Sequence, residues 1–100
     1  MNRDAFFARL AAHPAAAPAL IGARDTLDYA ALRCAVDALT AFLRERGVRV
    51  LATRLDNGPA WIVADLAALA AGVVHVPLPI FFTPAQTAHA LQAAGVDALL

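Results

Sequence analysis

The chain has 100 residues, of which 61% are hydrophobic and 16% charged, and its formal net charge is zero. This balance excludes the basic surface that binding to nucleic acid or to an anionic membrane requires, and the hydrophobicity excludes disorder. A single cysteine, Cys34, allows no internal disulfide, so we expect a cytoplasmic protein, and the length allows one small domain.

The first half of the chain predicts a helix, a hairpin and a second helix. Asn2 is suited to cap a helix that runs to about Ala12. Residues 19–27 predict two short extended segments joined by a turn at residues 22–25. Asp28 then begins a helix with a buried stripe at helical spacing, and Gly47 ends it. The stripe comprises Tyr29, Leu32, Val36, Leu39 and Leu43.

The second half alternates strands and helices. Pro59 suits the first turn of one helix and Gly72 suits its end. Thr83, followed by Pro84 and Gln86, has the pattern of a capping box at the start of the next helix. The predicted strands are residues 48–55, 73–76 and 96–100, and the predicted helices are residues 61–71 and 84–94.

This β-α-β-α-β alternation favours an α/β fold with a partial open parallel sheet and flanking helices. We expect the strand at residues 73–76 to be buried on both faces, and the helix at residues 61–71 to be covered over most of its circumference. One hundred residues cannot cover both faces of such a sheet. Its open edge is therefore expected to be completed by the remainder of the protein's own chain or by self-association.

The stretch from Ala60 to Phe82 is almost wholly apolar, and its length allows a transmembrane helix as an alternative. Gly72, Pro77 and Pro79 interrupt the stretch, which favours a buried helix followed by a buried strand. The N-terminal residues lack the pattern of a signal peptide, which again favours a cytoplasmic location.

Three segments resemble, in this order, the N-terminal region of the adenylate-forming enzymes, which include acyl-CoA synthetases and the adenylation domains of peptide synthetases. They are residues 27–32 (LDYAAL), 55–61 (LDNGPAW) and 68–79 (ALAAGVVHVPLP). Residues 77–86 (PLPIFFTPAQ) resemble the acyl-CoA synthetase branch more than the peptide-synthetase branch.

The resemblance implies that residues 1–100 are the incomplete N-terminal part of a ligase. Such a ligase activates a carboxylic acid with ATP to an acyl-adenylate and passes the acyl group to a thiol. The resemblance implies ATP, Mg²⁺ and coenzyme A for the whole protein, and none of them bound by this segment. The family's catalytic motifs lie later in its sequence, so none is carried onto a residue here.

The composition agrees with that scaffold role. The chain has no lysine and no serine, which excludes serine nucleophiles, Schiff-base lysines and a Walker-type phosphate loop. We assign no catalytic, cofactor-binding or metal-binding residue, and this chain alone is not expected to be an enzyme. The alternative is a stand-alone or truncated non-catalytic α/β association module.

The three histidines are interpreted as structural. His75 lies in a predicted strand, where a hydrogen-bonded core or edge histidine is favoured over a ligand contact. His13 and His89 are too far apart in sequence to predict a metal site, and we expect both to be solvated.

Two polar positions leave alternatives open. Asp56-Asn57-Gly58 follows a strand at the sheet edge where α/β proteins bind ligands, although a turn and helix-cap role explains it without a ligand. Asp65 is the one charged residue on its helix. It could pair with Arg54 or Arg33, pair with a group elsewhere in the protein, or face water.

Cys34 and two phenylalanines complete the candidates. Cys34 has no histidine or lysine neighbour in sequence, which predicts a packed, inert thiol. Phe81 and Phe82 predict core or helix-staple positions, and the wall of an acyl channel is the alternative.

Overall fold

The order of elements follows the order of the sequence signals. The computed structural model describes residues 2–100. Its helices are α1 (Arg3–Ala11), α2 (Tyr29–Glu45), α3 (Pro59–Ala71) and α4 (Pro84–Ala93). Its strands are β1 (Pro18–Ile21), β2 (Thr26–Asp28), β3 (Val50–Thr53), β4 (Val74–Pro77) and β5 (Ala98–Leu99). The predicted α/β architecture is therefore confirmed.

Side-chain caps begin three of the helices. The carboxamide of Asn2 and the carboxylate of Asp28 each accept the backbone N–H three residues later at 2.7 Å. Thr83 and Gln86 form the complete capping box: the Gln86 N–H donates to Thr83 Oγ1 at 3.1 Å, and the Thr83 N–H donates to Gln86 Oε1 at 2.9 Å. These bonds satisfy N–H groups that a helix leaves without partners.

A hairpin and a parallel sheet hold the strands. β1 and β2 pair antiparallel, and β3 lies between β4 and β5 in a parallel sheet with the order β4-β3-β5. Leu51 of β3 lies opposite His75 of β4 and Ala98 of β5. β3 is the most buried strand, since Leu51 is 1% exposed and Ala52 and Thr53 are 0% exposed.

The core lies where α2 and α3 pack against each other and against β3. Leu32, Val36 and Leu43 of α2 are at most 5% exposed, which confirms three members of the predicted stripe as buried. The other two members, Tyr29 and Leu39, are partly buried. Burial of one such side chain contributes roughly 1.5–3 kcal/mol. The sequence did not indicate that Thr40 would also be buried, and its hydroxyl donates to the Val36 carbonyl at 2.6 Å.

Of the predictions about the strands and α3, two are wrong and one is confirmed. β4 is an edge strand and not buried on both faces, because Val74 is 59% exposed. β3 is shorter than predicted, because the Val48 N–H still donates to the Leu43 carbonyl at the end of α2. α3 is covered over most of its circumference, as predicted, since Ala60 and Leu69 are its only exposed residues. An apolar run shows that a segment can be buried, but not which neighbours the chain supplies.

The outer edge of β4 has few hydrogen-bond donors. The N–H groups of Val74 and Leu78 donate to carbonyls of the β3 segment at 2.9 and 2.7 Å. Strand alternation therefore turns the N–H of His75 away from β3 and places Pro77, which has no N–H, on the same outer side.

None of the helices within residues 2–100 is both long and apolar enough to cross a membrane. The apolar stretch from Ala60 to Phe82 is divided among α3, β4 and the loop that follows β4.

Candidate functional site at the carboxyl edge of the sheet

The carboxyl ends of β3 and β4 lie at the same edge, since the two strands are parallel. A groove of about 460 Å³ opens there. It is lined by Leu55, Asp56, Asn57, Trp61 and residues 77–81. Open α/β sheets bind ligands at this edge, and the groove, which we call the edge groove, is the candidate site.

Arg54 fixes one wall of the edge groove. It directly follows β3, and its guanidinium donates to the carbonyls of Ile80 and Phe82 at 3.0 and 3.4 Å. Its backbone N–H donates to the Leu100 carbonyl at 2.8 Å. One residue thus connects β3 to the loop after β4 and to the end of the β5 segment.

A chain of hydrogen bonds lies behind the edge groove. Asp65 Oδ1 lies 2.8 Å from His75 Nδ1, and His75 Nε2 lies 2.8 Å from Thr53 Oγ1. The side chain of His75 is 7% exposed and that of Asp65 is 50% exposed. The Trp61 ring lies 5.4 Å from the His75 ring, with 50° between their planes. The three hydrogen-bonded side chains, which we call the brace, join α3, β4 and β3.

The hydrogen bonds of the brace test the sequence predictions for His75 and Asp65. The interpretation of His75 as a hydrogen-bonded histidine is confirmed. Neither predicted arginine pairs with Asp65, because Arg54 is directed at backbone carbonyls and the carboxylate contacts His75 instead. Sequence reasoning missed Thr53, whose one visible signal is a polar side chain at the end of an apolar strand.

The turn before α3 contains no side-chain cap. Gly58 is the N-cap residue, so the helix-cap role predicted for the segment Asp56-Asn57-Gly58 is confirmed for Gly58. No side chain hydrogen-bonds to the helix start, so that role is wrong for Asp56 and Asn57. Pro59 at the first position has no N–H to satisfy, which lowers the need for a cap. Asp56 and Asn57 are exposed and line the edge groove.

The remaining candidates lie apart from one another. His13 and His89 are exposed, as predicted, and His13 stacks on Tyr29 with 4.5 Å between ring centroids. Within residues 2–100, no three histidine, cysteine, aspartate or glutamate side chains are close enough to hold a metal ion. Cys34 is exposed, so the prediction of a packed thiol is wrong.

Phe81 is not a core residue. It is 80% exposed, while Phe82 is partly buried and packs edge-to-face against it with 5.8 Å between ring centroids. The prediction of core positions is wrong for Phe81, because Pro77, Pro79 and the Arg54 contacts hold this segment outside the helix and strand layers. Phe81 lines the edge groove instead.

Asp97 is a polar anchor that the sequence analysis did not single out. Its carboxylate accepts the backbone N–H groups of Arg49 at 2.8 Å and Val50 at 3.0 Å. These two hydrogen bonds hold the pKa of Asp97 below its ordinary value of 3.8. The bonds tie the start of β5 to the start of β3.

A second groove of about 500 Å³ lies among α1, α2 and α3. Its walls include Phe7, Leu10 and Leu66, which also pack against the core. The edge groove stays the candidate site, because it lies at the carboxyl edge of the parallel sheet, where open α/β sheets bind ligands.

Comparison with known proteins identifies the family. The family model described as "AMP-binding enzyme" matches residues 6–100. The chain belongs to the AMP-binding enzyme family. This membership confirms the resemblance to the N-terminal region of adenylate-forming enzymes.

Individual proteins and solved structures are also similar to the chain. The chain is 41% identical over 96 residues to phenyloxazoline synthase MbtB from Mycobacterium sp. (strain MCS), covering 93% of this chain and 8% of that protein. It superposes on the Vibrio cholerae adenylation domain AlmE in complex with glycyl-adenosine-5'-phosphate with a TM-score of 0.89 and 25% identity, covering 97% of this chain and 18% of that chain. It superposes on a benzoate CoA ligase from Burkholderia xenovorans LB400 with a TM-score of 0.83 and 31% identity, covering 99% of this chain and 21% of that chain.

Proposed function

We propose that the chain is the incomplete N-terminal part of an AMP-forming acid–thiol ligase, in which it serves as scaffold. The whole protein would activate a carboxylic acid with ATP, release pyrophosphate and transfer the acyl group from the acyl-adenylate to a thiol. The observation that carries the proposal is the superposition of nearly the whole chain on AlmE, which is described in complex with an aminoacyl-adenylate.

The proposal assigns ATP, Mg²⁺ and coenzyme A to the whole protein and not to residues of this chain. The edge groove does not fit a triphosphate, because its one charged lining residue, Asp56, is negative and would repel phosphate oxygens. The exposed arginines give no phosphate cradle there, since the Arg54 guanidinium already donates to two carbonyls. We therefore derive no step of the reaction from these residues.

Coenzyme A is the acceptor that we propose. The benzoate CoA ligase is 31% identical over almost the whole chain, and residues 77–86 resemble the acyl-CoA synthetase branch. The 41% identity to MbtB favours a second candidate, an adenylation domain of a peptide synthetase. Coenzyme A and a carrier-protein thiol, offered separately after acid activation, distinguish the two candidates.

We also propose that the protein is located in the cytoplasm. Fractionation of the source cells tests this location.

The first test uses the natural gene product isolated from its source cells. Its intact mass is expected to be several times the 10.4 kDa of this chain. Exchange of labelled pyrophosphate into ATP is expected with at least one acid from a panel of aliphatic, aromatic and amino acids. The exposed-site variant Cys34→Ala is the matched control and is expected to keep the exchange.

A product of the mass of this chain that shows no exchange with any acid would overturn the ligase proposal. That outcome would leave a non-catalytic association module, which one observation favours: Val74, Leu99 and Phe81 are 59%, 47% and 80% exposed. Size-exclusion chromatography tests this second function, because an association module elutes as an oligomer whose apparent mass falls on dilution. A monomer at every concentration would contradict it.

A further inference from the structure

The groove among α1, α2 and α3, which we call the helix groove, has a mainly apolar lining and a volume of about 500 Å³. The large apolar side chains that line it are Phe7 and Leu10 of α1, Leu32 and Val36 of α2, and Leu66 of α3. Ligand sites are typically concave surfaces of about 300–1,000 Å³ with an apolar lining and a few polar groups. The helix groove therefore has the size and the surface of a site for an apolar molecule.

Contacts at its two ends give the helix groove a direction. At one end, Arg44 near the end of α2 donates to the carbonyl of Ala70 near the end of α3, at 2.9 Å. At the other end, His13 stacks on Tyr29, the first residue of α2. All four residues line the groove. The groove therefore follows the axis of α2, and its ends lie about 22 Å apart, given the rise of an α-helix.

The unbalanced charge of the helix groove is positive and lies at the Arg44 end. Its charged lining residues are Arg33, Asp37 and Arg44. Arg33 and Asp37 are one helical turn apart on α2, so their opposite charges are neighbours and offset each other. Within residues 2–100, Arg44 forms no ion pair, and its bond to Ala70 leaves most of its N–H groups free to donate.

Arg3 adds a second guanidinium at this end. A Cβ on Gly72, which directly follows α3, would lie 3.8 Å from Arg3 Nη1. The partial negative charges at the ends of α2 and α3 amount to about half a unit each, so the two guanidiniums exceed them. The Arg44 end can therefore hold an anion, and the planar guanidinium fork matches the two oxygens of a carboxylate.

We propose that the helix groove binds a free long-chain carboxylate, with its carboxylate at Arg44 and its alkyl chain along the apolar lining toward His13. A volume of about 500 Å³ that extends over about 22 Å is narrow, which suits one alkyl chain rather than a bulky ring system. Charge complementarity selects the head group, because Arg44 and Arg3 attract an anion and repel a cation. This site is separate from the edge groove, and the proposal does not depend on the ligase reaction.

Cys34 reports occupancy of the helix groove, because it is exposed, lines the groove and is the one cysteine of the chain. It lies about 15 Å from Arg44 along α2, between the two ends. The experiment follows the reaction of its thiol with dithiodipyridine, an uncharged reagent, in the 100-residue chain at neutral pH. The ligand is dodecanoate below its micelle concentration, and circular dichroism checks that the chain stays folded. We expect a rate about tenfold lower at roughly ten times the dissociation constant, since only the empty groove reacts.

Matched ligands and variants test the role of Arg44. Dodecanol and dodecyltrimethylammonium have the same alkyl chain, and we expect each to protect the thiol less than dodecanoate does at equal concentration. Arg44→Gln is expected to raise the dodecanoate concentration for half protection by about threefold. Arg46→Gln is the matched control and is expected to leave that concentration unchanged, because Arg46 lies over the Phe42 ring and does not line the groove.

Four results overturn the proposal. The first is a thiol rate that dodecanoate does not lower, and the second is protection by dodecanol or dodecyltrimethylammonium equal to that by dodecanoate. The third is an equal effect of Arg44→Gln and Arg46→Gln on protection. The fourth is a ligand-free rate that falls as the protein concentration rises, which would show that a second copy of the chain covers the groove. If Arg44→Gln does not fold, the comparison of dodecanoate with dodecanol in the unsubstituted chain decides.

Discussion

α2 and α4 begin and end alike, yet only α2 belongs to the core. Asp28 caps α2 and a capping box begins α4, and each helix is followed by a glycine with φ of 64°. α2 buries Leu32, Val36, Thr40 and Leu43, whereas α4 buries none of its residues. Capping signals therefore show where a helix begins, while its share of the stability comes from an apolar stripe that has a partner surface.

The largest expected effect is a core truncation in α2. Leu43→Ala is expected to lower the free energy of unfolding by about 2–5 kcal/mol, because it empties a position that is 1% exposed. Leu91→Ala in α4 is the matched control and is expected to cost much less, because Leu91 is only partly buried. Urea denaturation measures both losses, and equal losses would contradict the contrast between the two helices.

Removal of the N-terminal cap is expected to have different effects on stability in α2 and in α4. Asp28→Ala is expected to lower the free energy of unfolding by about 1 kcal/mol, since the first turn of α2 loses its acceptor. Thr83→Ala removes the same type of bond from α4. Because α4 is not in the core, that loss is expected as faster amide hydrogen exchange within α4, with little change in the urea midpoint. A large midpoint shift for Thr83→Ala would show that α4 unfolds together with the core.

The stability contributed by the segment after α4 is expected to depend on pH. The Asp97 carboxylate holds this segment against β3. Its pKa is lowered in the folded chain, so its contribution to stability is complete above the ordinary pKa of 3.8 and is lost as pH falls through the lower, folded value. Asp97→Asn is expected to lower Tm at neutral pH, and the difference from the unsubstituted chain should shrink below about pH 4. Thermal melts across this range measure it, and a difference that does not change with pH would contradict the role of the charge.

The smallest effect is expected on the exposed face of α2. Cys34→Ala should change the free energy of unfolding by less than about 0.5 kcal/mol, because Cys34 is exposed and is not a member of the core cluster. The Cys34 thiol should also react with a colorimetric thiol reagent without denaturant. A thiol that reacts only after unfolding would mean that this face is covered in solution.

The sequence predicts the elements well because their signals are local. Asn2, Asp28 and the Thr83–Gln86 pair each act within four residues, and all three caps are confirmed. The family resemblance is also carried by short segments and is confirmed by the match over residues 6–100.

The brace and the edge groove could not be predicted in the same way. Asp65 and His75 meet because α3 returns the chain to β4, and Thr53 joins them because β3 and β4 are in register. Charge alone favours an arginine as the partner of Asp65, but the backbone carbonyls of the loop after β4 already occupy Arg54. The exposure of Phe81 depends on the shape of the same loop, which the contacts of Arg54 determine together with the prolines of the loop.

Arg54 also limits how the loop after β4 can be exchanged between related proteins. The carbonyls of Ile80 and Phe82 receive their hydrogen bonds from a side chain 26 and 28 residues earlier in the chain. A transplanted loop would therefore lack its donor wherever the recipient has no arginine after β3. A successful chimera must carry the arginine and the loop together, although they are far apart in sequence.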